Sequence, residues 1–235
     1  MSWNTWIGSS NAFKKEEIDM NILDLLPENL IFLLPALLLA LTVHEFAHAY
    51  VSHRLGDPTP KWQGRLTLNP VAHIDPIGFL MIMFFRFGWG KAVEIDPKYY
   101  RNRRQGLVLV SLAGPAANIV TAFVLVIMHV LALAMLPSSP GDFIGSMLST
   151  AVSLNIFLAV FNLLPVPPLD GSKILAGLLP SKYSYRFQSF TNQWGMLLIL
   201  LLVATGITSL TVIPIGSLLH RGMYGMVIAV VGLFL

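Results

Sequence analysis

Long apolar runs separated by short polar clusters make up most of the chain, and the runs fall into two length classes. Leu30–Val51, Gly106–Leu136, Ser146–Leu164 and Met196–Ile213 are nearly free of charge. At ~1.5 Å of rise per residue, about 20 helical residues cross ~30 Å of hydrocarbon, so these four runs predict membrane-spanning helices. Ile77–Trp89 ("IGFLMIMFFRFGW") and Gly222–Leu235 are as apolar but too short to cross unaided. Residues 214–235 therefore stay open between a span and a surface hairpin.

The polar clusters orient the runs. Residues 91–105 ("KAVEIDPKYYRNRRQ") carry Lys91, Lys98, Arg101, Arg103 and Arg104, whereas 137–145 ("PSSPGDFIG") carry no Lys or Arg. Loops rich in Lys and Arg stay in the cytoplasm, which puts 91–105 inside and 137–145 outside. The 52–76 connection, with Arg54, Lys61 and Arg65, falls inside too. Both flanks of Ile77–Trp89 then share one side, as in a re-entrant hairpin covered by protein or by a polar cavity. The expected fold is an all-α polytopic membrane protein with about four to six transmembrane segments, the hairpin lying between the first and second long helices. Residues 1–27 read as a polar arm with a mixed-charge patch (Lys14, Lys15, Glu16, Glu17), and 28–235 as a single integral-membrane domain.

Composition narrows the class further. Of 235 residues, 55% are hydrophobic and 11% charged, against about 25% charged in soluble domains. Mean hydropathy is +0.69. The net charge of +3 follows from the basic loops and gives no sign of a nucleic-acid partner. With no cysteine, disulfides and thiolate metal sites are excluded. Met1–Met20 lacks the order of a cleavable signal, so the first hydrophobic helix is expected to direct insertion, giving a multi-pass protein of the cell membrane.

Within the first apolar run stands "HEFAH" (44–48). His44 and His48, at i and i+4, share one helix face, with Glu45 about 100° away. This HExxH spacing suits two imidazoles on a zinc ion and a glutamate acting as general base on the attacking water. Each charged group at bilayer depth costs on the order of 2.5–3.5 kcal/mol, so an apolar helix carries such groups where they coordinate, pair or line a cavity. Counting back from Val51 puts both histidines roughly 5–10 Å inside the cytoplasmic face.

A catalytic zinc takes three protein ligands and keeps one position open. The extended HExxHxxGxxH pattern fails, because Val51 and Arg54 stand where Gly and His are needed. Glu94 sits in the basic loop, His129 near the outer end of its helix, His220 in a late connection and Asp142 outside. His53, His73, Asp57 and Asp75 remain in the cytoplasmic connection, where turn or interfacial roles suit them better. Asp170 is the acid at the matching depth, in the proline-rich break "FNLLPVPPLDG" (161–171). Pro165, Pro167 and Pro168 stop the preceding helix. Asp170 also suits an N-cap of a helix over Ser172–Leu179.

"HEFAH", "GPAAN" (114–118) and "FNLLPVPPLDG" together resemble the site-2 protease family of intramembrane zinc metalloproteases, over about residues 30–215. The resemblance implies one Zn2+ per chain on His44, His48 and Asp170, with Glu45 as catalytic base. It also offers Asn118 and Asn162 as substrate or oxyanion contacts, for which interhelical hydrogen bonding is the alternative. Larger members insert a PDZ-like or nucleotide-sensing domain; this chain resembles the compact form. The partners implied are transmembrane protein substrates and the lipid bilayer, and a homo-oligomer is compatible with the sequence. The hairpin and Lys91–Ile95 ("KAVEI") are the expected edge for an unwound substrate, with Val93 at its centre. A membrane zinc transporter and an inactive binding module are the competing classes.

Overall fold

The computed structural model describes residues 30–85 and 89–233; the polar arm at 1–27 falls outside them. Eight α-helices follow one another among the described residues, with no strand. They are α1 Leu30–Arg54, α2 Thr59–Trp62, α3 Pro76–Phe85 and α4 Arg103–Met135. Then come α5 Ser138–Asn162, α6 Asp170–Leu178, α7 Ser181–Ala204 and α8 Ile207–Val231. Four of them, α1, α4, α5 and α8, are long and apolar enough to cross a membrane, in line with the all-α polytopic expectation.

Small residues let these helices approach closely, because lipid offers no hydrophobic drive for association and van der Waals packing must supply it. Ala36 of α1, Ala122 and Val126 of α4, Ala151 and Val152 of α5, and Val212 and Val227 of α8 form one buried cluster. Along α8, Val212, Leu219, Met223 and Val227 recur at helical spacing, a stripe that lies on this core.

The hairpin expected at Ile77–Trp89 is present. Helix α3 has 10 residues, about 15 Å at ~1.5 Å each, half of what a crossing needs. The chain leaves at Ile74 and is back at Gly90, where the two residues pair as an isolated antiparallel bridge. Lys91 N donates to His73 O at 3.0 Å. At Gly78 a Cβ would fall 2.1 Å from the Trp89 carbonyl oxygen, so glycine permits the returning chain to lie against the outgoing helix.

Three boundaries differ from the sequence reading. Helix α5 starts at Ser138, so most of the expected 137–145 loop is its opening turns. Pro140 is tolerated there because first-turn amides have no intrahelical acceptor. The expected Met196–Ile213 span is two helices: Gly206, at φ +72°, separates α7 from α8. Gly222–Leu235 is thus largely the second half of α8, whose 25 residues reach the length of a span. Unbroken apolarity hid both changes, since it does not distinguish one helix from two.

Candidate metal centre

Helix α1 brings His44 and His48 to its last turns, and their rings meet edge to face with centroids 4.6 Å apart. From α6, Asp170 comes to meet them. Its Oδ2 lies 3.1 Å from Nε2 of His44 and 3.0 Å from Nε2 of His48, and the two Nε2 atoms are 3.0 Å apart. All three residues are buried.

Each imidazole is held from behind. His48 Nδ1 donates to the Val110 carbonyl at 2.7 Å. His44 Nδ1 donates to Asn118 Oδ1 at 2.6 Å. The Asn118 amide is fixed in turn, giving its hydrogens to Ala40 O at 3.0 Å and Asn155 Oδ1 at 2.8 Å. A carbonyl oxygen can only accept, so both Nδ1 atoms carry hydrogen and both Nε2 atoms face Asp170, where a protonated ring donates to the carboxylate and a neutral one offers its lone pair to a metal.

Asp170 is placed by the break that precedes it. A Cβ on Gly171 would fall 2.2 and 2.3 Å from the carbonyl oxygens of Leu163 and Leu164, so the end of α5 folds directly over the start of α6. The helix begins at Asp170 itself, with Leu169 as N-cap, rather than at Ser172 with Asp170 capping it. A carboxylate in a first turn also faces the positive end of the helix dipole. Lys173 Nζ lies 3.3 Å from Oδ1, leaving Oδ2 for the histidines. Burial alone would raise the Asp170 pKa. Hydrogen bonding to His44 and His48, with the charges of His48 and Lys173, outweighs it and holds the carboxyl well below its usual range.

Two imidazole nitrogens and one carboxylate oxygen are a zinc donor set. Ligands ~2.0–2.1 Å from a tetrahedral ion lie about 3.3 Å from each other, close to the separations here. A further residue keeps the space clear. A Cβ on Gly114 of α4 would stand 2.5 Å from His48 Nε2 and 2.7 Å from His44 Nε2. The donor set and this glycine fit a bound zinc ion.

Glu45, next to His44 on α1, is not one of the three clustered residues. Its Oε2 accepts the Val93 amide at 2.9 Å, so the centre of "KAVEI" is tied to the glutamate, and that amide is not presented to a substrate. Asn162 donates to Leu158 O in its own helix at 3.0 Å, and no described contact joins it to the centre.

Among the described residues, most of the other acids and histidines have structural partners. Asp57 accepts from Ser52 Oγ and from the amides of Thr59 and Asp96 at 2.7, 2.9 and 2.8 Å. Asp75 accepts the Gly78 amide at the head of α3, His53 Nδ1 approaches Asp57 O, and His73 Nε2 donates to Thr67 O. Glu94 accepts from Gln63 at the surface. His129 bonds the Tyr224 hydroxyl, and the Tyr224 ring packs on His220 with centroids 4.4 Å apart. Sequence reasoning missed Gly114, Asn155 and the Val110 carbonyl. Gly114 had a legible signal, because it lies one turn before Asn118 on the same face of α4.

The chain matches the model of peptidase family M50 over residues 139–202. It is 38% identical to the Bacillus subtilis (strain 168) protein named "Putative zinc metalloprotease YwhC", over 78% of this chain and 84% of that one. It is 34% identical to "Putative zinc metalloprotease Rip2" of Mycolicibacterium smegmatis, over 72% of this chain and 64% of that one. It is 27% identical to "Zinc metalloprotease MJ0392" of Methanocaldococcus jannaschii, over 76% of this chain and 44% of that one. No solved structure matches it.

Proposed function

The chain belongs to peptidase family M50, the site-2 protease family, and we propose that it is an intramembrane zinc metalloprotease cutting transmembrane segments of other proteins near the cytoplasmic face of the cell membrane. The observation that carries the reading is the convergence of His44, His48 and Asp170 within a bundle of membrane-length helices. These three residues would hold the ion. Zinc in such a site polarises a carbonyl and makes water nucleophilic at neutral pH.

The chain's own residues do the rest. Asn118 and the Val110 carbonyl hold the hydrogen of each imidazole on Nδ1 and aim Nε2 at the metal position. Glu45, one residue from a ligand, takes the proton of the attacking water and passes it to the leaving amine. The Val93 amide fixes one oxygen of that carboxylate and leaves the other for the transfer. A helical peptide bond must unwind before it can be attacked. The 90–96 segment, anchored at Lys91, Val93 and Asp96, is the wall along which the unwound stretch would lie.

Transport is disfavoured by the interior. Between Asn118 and the separate His129–Tyr224–His220 cluster, the buried face of α4 is Ala122, Leu125 and Val126. No polar path therefore runs along that face through the bundle. The test is zinc stoichiometry and cleavage of a transmembrane peptide by wild type, Glu45→Gln and Asp170→Ala. Glu45→Gln should keep zinc and lose cleavage, while Asp170→Ala should lose both. Cleavage by Asp170→Ala at the wild-type rate would overturn the assignment, and zinc bound without cleavage in wild type would favour a binding module.

A further inference from the structure

Helix α7 is as apolar as a span, yet its two ends lie at the same end of the bundle. Its beginning is fastened there: Ser184 Oγ donates to Ala176 O of α6, the helix that starts at Asp170. Its elbow is there also, because a Cβ on Gly195 would fall 2.6 Å from Cβ of Pro167, just ahead of Asp170. Its far terminus returns to the same level. Helix α8 runs antiparallel to α5: a Cβ on Gly216 would lie 3.6 Å from Ile156 Cγ2, and Val212, Ile213 and His220 line one small cavity with Ser153, Ile156 and Phe157. Farther along α8, Tyr224 meets His129, whose Nε2 lies near Gly145. Ile207, and Ala204 just before it, therefore sit beside the end of α5 that leads into the metal centre. Between those ends α7 bends by 67°.

The two halves differ in chemistry. Ser181–Phe190 ("SKYSYRFQSF") places Tyr183, Phe187 and Phe190 on one stripe and Lys182 with Arg186 on the next. Gln193–Ala204 ("QWGMLLILLLVA") is almost wholly apolar, with Met196, Leu197, Leu200, Leu201 and Val203 exposed. Lys182 and Arg186 are exposed, and no Asp or Glu follows Asp170 in the chain. No acidic side chain of α7 or α8 thus opposes the positive charge of Lys182 and Arg186. Aromatic and cationic stripes beside an exposed apolar segment are the pattern of a helix lying in a membrane interface.

We propose that α7 does not cross the membrane but lies in its interface at the metal-centre end, with Lys182 and Arg186 on anionic phospholipid headgroups and Gln193–Ala204 among the acyl chains. Four spans result, and the C-terminal end of α8 emerges opposite the metal centre. A cleft of about 410 Å³, lined by Pro167, Lys173, Phe187 and Met196 among others, lies under the elbow. Anionic lipid thereby holds the element that covers the Asp170 loop. The inference rests on helix geometry and charge, and stands or falls independently of proteolysis.

The native chain has no cysteine, so single-cysteine variants report without background. Full-length protein carrying Tyr185→Cys, Val203→Cys, Lys98→Cys or Leu233→Cys would be labelled with a membrane-impermeant maleimide in sealed vesicles of each orientation. Positions 185 and 203 should react from the side that exposes 98, or be shielded from both sides at 203, while 233 reacts from the opposite side. Labelling of 203 together with 233 would mean that α7 crosses, and would overturn the proposal. In vesicles of phosphatidylcholine with spin-labelled phosphatidylglycerol, wild type should prefer the anionic lipid, and Lys182→Gln and Arg186→Gln should each lower that preference about fivefold. An unchanged preference, or efficient disulfide cross-linking between two copies of the Tyr185→Cys protein at high lipid-to-protein ratio, would assign the surface to another occupant and remove the lipid claim.

Discussion

Nδ1 of His44 stands 2.6 Å from Oδ1 of Asn118, a contact between residues 74 positions apart. It decides which nitrogen of His44 carries hydrogen and so which one can bind metal. Asn118 itself is fixed by Ala40 and Asn155. Three helices, α1, α4 and α5, thus set the tautomer of one ligand.

Asn118→Ala should therefore lower zinc affinity by about 10–100-fold while Glu45 and the three ligands remain in place. Competition against a chelator of known affinity measures it. An unchanged affinity would assign Asn118 to helix packing alone.

Gly114→Ala separates the metal from the fold. Alanine in a helix interior is favoured over glycine by roughly 0.5–1 kcal/mol, which offsets part of the cost of displacing two buried rings, so the metal-free protein should stay folded with at most a modest fall in Tm. The added Cβ would sit 2.5 Å from His48 Nε2, so zinc stoichiometry should fall towards zero. Normal zinc content in a folded Gly114→Ala protein would show that the imidazoles can turn aside.

Gly171→Ala should fail differently. Its Cβ meets backbone oxygens of Leu163 and Leu164 rather than side chains, so the loop itself must shift. Loss of zinc together with a lower Tm is expected, measured by metal analysis and thermal unfolding in the same detergent. Zinc loss with an unchanged Tm would place the strain elsewhere.

Asp57 gives a pH dependence. Burial would raise its pKa, but hydrogen bonds from Thr59, Asp96 and Ser52 outweigh it and hold the carboxyl below its ordinary value. A depressed folded-state pKa contributes stability that is full above the unfolded value of ~3.9 and lost as pH falls through the folded one. In an Asp170→Ala background, where metal release cannot contribute, stability should decline below about pH 4. Asp57→Asn in the same background should be less stable at pH 7 by roughly 1–3 kcal/mol and should decline less in acid. Parallel curves from pH 7 to 3 would refute the assignment.

Much of the centre was legible in the residues. His44 and His48 at i and i+4 must share a helix face, and proline breaks before Asp170 must end a helix near it. Loop charges brought the two motifs to one level. The hairpin was legible for the same reason, since both flanks of Ile77–Trp89 are basic. Sequence reasoning placed Val93 on a substrate edge, yet its amide serves Glu45. No local pattern encodes that contact between a loop and a helix.

What the sequence alone determined was therefore periodic or one-dimensional: helix length, the spacing of the imidazoles and the distribution of charge. Which face of each helix is inside was decided only by the tertiary structure, because lipid and protein neighbours are both apolar and leave no stripe to read. The same ambiguity hid the break at Gly206, where one apolar run becomes two helices. It also hid Gly114 and Asn155, whose roles exist only once α1, α4 and α5 are packed and His44, His48 and Asp170 converge.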